Sequence, residues 1–158
     1  MYRTKIVFFW NIPGILSVTN ILYQCGKDMA DKYDLHHWDN SRIKSLLIAE
    51  YCCLKNVAFI VFDDNSPVAT FQVKIADDTL HFEKLATLPS ASGKGIGSYC
   101  IKRIEKIAVK NNCSRVKMEV YEPSKYAFDF YLKRGYTVIG STDTLKYKEI
   151  IMEKKLSV

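Results

Sequence analysis

The sequence predicts an α/β (α+β) fold, a single mixed and mostly antiparallel sheet with about four flanking helices. Three observations predict it. Helical and strand periodicities alternate along the 158 residues. Short turns join three consecutive strand-like runs, which is typical of an antiparallel meander. A strand, a glycine-rich turn and a helix then lead to another strand, and such a crossover places its two strands parallel. No linker interrupts these parts, so residues 1–158 are interpreted as one domain.

Composition and charge favour a soluble globular protein. No apolar run approaches the roughly 18 residues that a membrane span needs, and the apolar stretch 6–10 lacks the length and cleavage site of a signal peptide. We therefore expect a cytoplasmic protein with no membrane partner. The net charge of +6 suits an anionic ligand or nucleic acid. Because the basic residues are spread along the chain, no nucleic-acid partner is predicted.

The cysteines and histidines predict no metal centre. Five cysteines form an odd set without metal-type spacing, so we interpret them as reduced packing residues, with a regulatory or catalytic thiol as the lesser alternative. The segment from His36 to Asp39 is too contiguous to supply a good set of metal ligands. We therefore expect no metal ion.

The first part of the chain predicts a strand and two helices. Residues 2–9 form the strand, and Asn11 caps a helix that has Pro13 in its first turn and runs to about Asp31. A polar and aromatic connection, 34–40, leads to a second helix that Asn40 or Ser41 caps. The residues at helical spacing in this second helix are Ile43, Leu47, Glu50, Tyr51 and Leu54.

The rest of the chain predicts six further strands and two helices. The meander comprises residues 57–62, 68–76 and 79–88, and the last of these strands is closed by Pro89. A helix runs to about Lys110 and is followed by a strand at 115–121. Ser124 then caps a helix through Arg134, and the closing strands are 136–139 and 145–152.

A glycine-rich turn precedes the helix that ends near Lys110. Gly93, Gly95 and Gly97 permit backbone angles and close approaches that a Cβ would block. The N–H groups and dipole of a helix start favour an anion, so the turn is predicted to hold a phosphate. It lacks the Gly-Lys-Ser/Thr ending of a Walker loop, and Ser98 replaces the last glycine of a Rossmann fingerprint.

Two motifs resemble those of the GNAT acetyltransferases. Residues 85–89 and 92–97 are similar to the family's fourth strand and to its pyrophosphate loop, Gln/Arg-x-x-Gly-x-Gly/Ala, with Ser92 at the Gln/Arg position. Residues 127–136 resemble a second signature in which an alanine, a tyrosine and a Gly-Phe/Tyr pair follow an asparagine, here Ser124. The predicted order of elements resembles the GNAT fold over nearly the whole chain.

The resemblance implies an acetyl-CoA-dependent N-acetyltransferase in which a primary amine attacks the thioester directly in a ternary complex. Tyr131 would protonate the leaving thiolate, and Glu83 or His81 would serve in acid–base chemistry or substrate binding. The other interpretation of Tyr131 is a packed aromatic ring, and the other interpretation of Glu83 is a salt-bridge partner. The alternative function is a non-catalytic acyl-CoA-binding or sensor domain.

The resemblance also assigns the binding residues. Strands 79–88 and 115–121 would splay apart to admit the pantetheine arm of acetyl-CoA, which would pair with the fourth strand. The implied cofactor-binding residues are Leu85, Ala86, Thr87, Ser92, Gly93, Lys94, Gly95, Ile96, Gly97, Ser98, Ser124 and Tyr131.

The connection 34–40 lies where the family builds its acceptor pocket. His36, His37 and Trp38, together with Glu83, are therefore implied to contact the acceptor, a small-molecule or peptide amine. The other interpretation is a surface loop anchored by Trp38. A homodimer formed through the closing strands is left open.

Overall fold

The structure is a computed structural model that describes residues 1–157, which form seven strands, four α-helices and one 3₁₀ turn. The element order agrees with the sequence prediction, apart from the 3₁₀ turn Pro89–Ala91, which was not predicted. The elements are β1 (Tyr2–Val7), α1 (Ile12–Tyr33), α2 (Arg42–Lys55), β2 (Val57–Asp63), β3 (Ser66–Ala76), β4 (Thr79–Thr87), α3 (Ile96–Lys110), β5 (Arg115–Tyr121), α4 (Lys125–Leu132), β6 (Thr137–Asp143) and β7 (Lys148–Lys155).

The strands follow the order β1-β2-β3-β4-β5-β7-β6 in one sheet. Antiparallel pairs join β1 to β2, β2 to β3, β5 to β7 and β6 to β7. β4 and β5 are parallel, with Thr79–His81 in register with Arg115–Lys117. The predicted fold class, a mixed and mostly antiparallel sheet with a parallel β4/β5 pair and about four helices, is confirmed.

The chain comprises two compact units. The first contains residues 1–74 and 84–103, and the second contains residues 75–83 and the described residues from 104 onward. Both β4 and α3 therefore supply residues to each unit. The core of the first unit contains Ile15, Val18, Ile21 and Leu22 from α1, packed with Val7, Ala58 and Ile60. Buried residues of the second unit include Leu80, Ile104, Val116, Met118 and Met152.

Capping fixes both ends of α1, and the cap at its start is the predicted one. The Asn11 side chain accepts a hydrogen bond from the Gly14 N–H at 3.0 Å, and Pro13 lies in the first turn. Asp34 adopts a left-handed conformation with φ of 56°, and its N–H bonds back to the Ala30 carbonyl. The helix therefore begins at a side-chain cap and ends at a left-handed residue.

The apolar stripe of α2 is exposed, contrary to what its periodicity suggests. Ser41 caps this helix, accepting from the Lys44 N–H at 3.1 Å. The buried side is formed by small residues that let α2 approach its neighbours closely, namely Ser45, Ala49, Cys52 and Cys53. The outward side chains are exposed, namely Ile43, Leu47, Tyr51 and Leu54. Small residues and large residues both recur at helical spacing in α2, and the side that carries the small residues is buried.

The later elements differ from prediction at their ends. Ser124 is the N-cap residue of α4 as predicted, although its side chain makes no capping hydrogen bond among the described residues, and the helix ends at Leu132 rather than Arg134. β6 begins at Thr137, one residue after the predicted start, and Tyr136 lies buried between the turn 133–135 and this strand. β7 begins at Lys148 because Thr144 and Tyr147 close the preceding turn with a 2.8 Å backbone hydrogen bond.

Replacing Gly26 by alanine is expected to lower the free energy of unfolding by about 1–3 kcal/mol. An ideal Cβ at Gly26 would lie 2.0 Å from the Trp38 carbonyl oxygen, so the connection after α1 would have to move. Urea denaturation measures the change. Gly140→Ala is the matched control, because its nearest contact is Ile151 Cδ1 at 4.0 Å. A Gly26→Ala protein with the unfolding midpoint of the wild type would contradict the prediction.

Candidate functional site

The turn before α3 uses glycine for its backbone angles. Gly93 and Gly95 both have φ of 77°, a left-handed conformation that side chains disfavour. An ideal Cβ at either glycine has no described atom within 4 Å, so both face open space. Residues 92–95 are exposed, whereas Ile96 is buried and anchors the first turn of α3. The N–H groups that begin a helix have no intrahelical acceptors, so this turn suits an anion.

Two tyrosines fix the glycine turn against β1. The Tyr2 hydroxyl donates a hydrogen bond to the Lys94 carbonyl at 2.9 Å. The rings of Tyr2 and Tyr99 lie 5.3 Å apart, and the Tyr99 hydroxyl lies 3.1 Å from the Thr4 hydroxyl. The sequence analysis did not identify these contacts. The turn is therefore held in place by residues distant in sequence, while its exposed backbone stays on the surface.

The Ser92 amide is already used within the turn. Its N–H donates to the Pro89 carbonyl at 3.1 Å, closing the 3₁₀ turn. The Ser92 backbone donor is therefore already satisfied, whereas Lys94 is exposed and adds a positive charge to the turn.

A left-handed residue interrupts β4. Lys84 has φ of 51°, an uncommon conformation for a side chain that costs roughly 1–2 kcal/mol. Side-chain alternation requires unbroken extended backbone, and this angle interrupts the extended backbone between Glu83 and Leu85. Beyond Lys84, Ala86 is buried, and Leu85 and Thr87 are partly exposed.

The predicted acceptor residues divide into two groups. The Lys84 ammonium lies 4.9 Å from the centre of the Trp38 ring, so Trp38 contacts the strand. Burial, and then the charge of Lys84, lower the pKa of His37 to about 4. His36 is exposed and lies 2.8 Å from Asp34 and 3.3 Å from Asp39, which raise its pKa. His37 and Trp38 thus lie near β4, while His36 belongs to a surface ion network.

Tyr131 lies in an aromatic cluster of the second unit. It is 9% exposed, and its ring centre lies 5.9 Å from those of Phe82 and Tyr136 and 5.1 Å from that of Phe130. The neighbouring Tyr136 hydroxyl donates to Glu105 at 3.3 Å. Tyr131 is therefore held by apolar rings, which is compatible with both interpretations made from the sequence.

His81 lies between two carboxylates in the second unit. Its Nε2 is 2.5 Å from Glu119 Oε2, and its Nδ1 is 3.5 Å from Glu83 Oε1. The structure thus brings together the two predicted acid–base residues and adds Glu119, which the sequence analysis missed. The parallel register of His81 with Lys117 places Glu119 two residues further along the same face of β5, so the register supplies the missing signal.

The described part of the chain contains neither a metal-binding group of side chains nor a helix that could span a membrane. Residues 1–157 contain no group of three or more histidine, cysteine, aspartate or glutamate side chains arranged to hold a metal ion. Within that range, every helix is too short or too polar to cross a membrane.

Comparisons with solved structures show the same fold. PaiA N-acetyltransferase from Thermoplasma acidophilum, solved in complex with coenzyme A, aligns with a TM-score of 0.75 and 20% identity over 99% of both chains. The ribosomal-protein-S18-alanine N-acetyltransferase from Escherichia coli aligns with a TM-score of 0.74 and 15% identity, over 100% of this chain and 96% of the other.

Sequence comparisons identify the family. Thialysine N-epsilon-acetyltransferase from Bos taurus is 32% identical over 56 residues, which cover 35% of this chain and 33% of that protein. The match therefore spans about a third of this curated relative. The model of the Acetyltransferase (GNAT) family matches residues 19–136, most of the chain. The predicted family is thus confirmed, and this chain belongs to the GNAT acetyltransferases.

Proposed function

We propose that this protein transfers an acetyl group from acetyl-CoA to a primary amine, which attacks the thioester directly. The observation that carries the proposal is the glycine turn, where two left-handed glycines precede a helix start in a member of an acetyltransferase family. Coenzyme A is present in the structure of the PaiA enzyme, whose fold this chain shares. The turn supplies the kind of anion site that a pyrophosphate requires.

The cofactor contacts follow from the backbone of the first unit. The N–H groups of residues 93–98 bind the pyrophosphate, and Lys94 adds charge. The main chain of residues 85–87 pairs with the pantetheine arm as an added strand. Ser92 contributes through its side chain, since its N–H bonds to Pro89. Ser124 and Tyr131 complete the proposed set of cofactor-binding residues.

Gly95→Ala is expected to weaken acetyl-CoA binding at least tenfold. The new Cβ would project into the open space that the turn offers to phosphate. Gly135→Ala is the matched control, since Gly135 also has a left-handed backbone, with φ of 86°. The backbone strain lowers the free energy of unfolding by about 1–2 kcal/mol in both variants. Calorimetric titration with acetyl-CoA then shows whether Gly95→Ala alone has lost affinity, which strain by itself does not explain.

Either of two calorimetric results would contradict the cofactor site. One is equal acetyl-CoA affinity in the Gly95→Ala and Gly135→Ala proteins. The other is an absence of heat from the wild type at millimolar acetyl-CoA, which would remove the basis for the enzymatic function itself.

We assign proton donation to the leaving thiolate to Tyr131. A phenol within hydrogen-bond reach of a departing thiolate can supply its proton. The aromatic cluster holds the Tyr131 ring through Phe82, Phe130 and Tyr136. The hydroxyl can therefore be removed with little effect on packing.

Tyr131→Phe is expected to lower kcat about 100-fold and to leave KM for acetyl-CoA within a few-fold of the wild type. The reason is that the variant keeps the ring and loses the acidic proton. Thiol release with a panel of primary amines measures both constants. Tyr126→Phe, on the same helix and 63% exposed, is the control. A kcat within twofold of the wild type would exclude Tyr131 as the acid.

Direct attack is favoured because the cysteines are poor nucleophiles. Burial raises the pKa of Cys25 and Cys53 to about 11 and that of Cys100 to about 12. A raised pKa leaves little thiolate at neutral pH, and the thiolate is the reactive form. An acetylated cysteine intermediate is therefore disfavoured.

A thiol titration at pH 7 is expected to detect fewer than one of the five cysteines in the native protein within minutes, and all five after denaturation. A chromogenic disulfide reagent gives the count. A single thiol that reacts rapidly and is protected by acetyl-CoA would instead favour a covalent acyl-cysteine route.

The acceptor contacts and the setting complete the proposal. Trp38 and His37 lie beside Lys84 and contact the acceptor, a small-molecule or peptide amine, while His36 contributes from the loop surface. We further propose that the protein is a single domain that acts in the cytoplasm. The proposal leaves open a homodimer formed through the closing strands. Acetyl-CoA binding without turnover of any amine would support the alternative of a non-catalytic acyl-CoA sensor.

A further inference from the structure

Glu119 lies against one ring nitrogen of His81. Glu119 Oε2 lies 2.5 Å from His81 Nε2. Desolvation raises the pKa of Glu119, but the hydrogen bond with His81 and the charges of His81 and Lys117 outweigh it, so the net pKa lies below its usual value. An ionised carboxylate only accepts hydrogen bonds, so the proton between the two groups belongs to Nε2.

In the neutral form of the ring, the other nitrogen is then the acceptor, because Nδ1 carries a lone pair when Nε2 is protonated. Nδ1 lies 3.5 Å from Glu83 Oε1. One donor group placed beside both atoms can therefore bond to both. An alkylammonium group has three N–H donors and a positive charge, which satisfy Nδ1 and the carboxylate together.

We propose that Glu119 is a positioning residue that fixes the Nε2–H tautomer of His81, so that Nδ1 removes a proton from the acceptor ammonium while Glu83 binds that ammonium. The inference rests on the proposed acetyl transfer and deepens it. It assigns different roles to the two predicted acid–base residues. His81 is the base, and Glu83 binds the charged amine.

The proton balance of this step is simple. R–NH₃⁺ gives one proton to Nδ1, which leaves R–NH₂ with the lone pair that attacks the thioester carbon. His81 becomes an imidazolium whose two N–H groups point to Glu119 and Glu83, and both carboxylates stabilise the new charge. The ring later releases this proton to solvent. Lys117 and its register partner Glu153 are further charged groups on this face of the sheet.

The test uses Glu119→Gln in the full-length protein. The amide keeps the size of the side chain but can donate to Nε2, so it no longer enforces the Nε2–H tautomer. Nitrogen-15 NMR of the imidazole rings reports the tautomer directly. The chain has three histidines, and the spectrum of His81→Gln identifies the His81 signals. Glu122→Gln is the matched control, because Glu122 lies just beyond β5 in an exposed pair with Lys148.

We expect wild-type His81 to be mainly the Nε2–H tautomer and the Glu119→Gln protein to show a substantial Nδ1–H population. With an accepted amine, kcat of Glu119→Gln falls about 10- to 100-fold, while KM for acetyl-CoA stays within twofold. Glu119→Asp keeps the charge and restores the Nε2–H tautomer and part of the lost kcat. Glu122→Gln matches the wild type in both measurements.

The outcomes separate this inference from the proposed function. An unchanged tautomer in Glu119→Gln, or an unchanged kcat despite a changed tautomer, overturns the role of Glu119. A folded Glu119→Gln protein that loses kcat without a change of tautomer also overturns it. A wild type that acetylates no amine but shows the Nε2–H tautomer, with the shift in Glu119→Gln, leaves the positioning of His81 intact and removes the proposed acetyl transfer.

Discussion

Left-handed backbone conformations at three residues determine where the candidate groups of the first unit lie. Lys84 ends the regular alternation of β4, and Gly93 and Gly95 turn the chain into α3. Only glycine adopts such angles without cost, so the turn is both tight and open on its outer side. Tyr2 and Tyr99 then fix this turn to β1. The proposed anion site is therefore a product of backbone geometry, with side chains in supporting positions.

The two substrates of the proposed acetyl transfer differ in charge, so they place opposite electrostatic demands on one small protein. The glycine turn offers N–H groups, a helix start and the charge of Lys94 to an anion. The cluster of His81, Glu83 and Glu119 offers two carboxylates, and in the proposed tautomer a lone pair, to a cation. The net charge of +6 describes neither site, because local charge determines what each group of residues binds.

Sequence reasoning predicts the element order and the glycine turn because both depend on local signals, namely periodicity and turn residues. It missed Glu119, since only the register of β5 against β4 shows that this residue faces His81. Helical spacing alone does not show which side of α2 is buried, since small and large residues share one period and the small side is buried. The left-handed angle of Lys84 is not among the sequence predictions. The roles of Tyr131 and Glu83 stay predictions.

The close approach of Gly26 to the Trp38 carbonyl has a consequence for how acceptor selectivity can change. Main chain packs on main chain there, so the path of the connection after α1 depends little on the side chains it carries. Insertions or deletions on either side of Trp38 would shift its carbonyl from this contact. For the proposed acceptor contacts of this connection, point substitutions therefore disturb the scaffold less than changes of loop length.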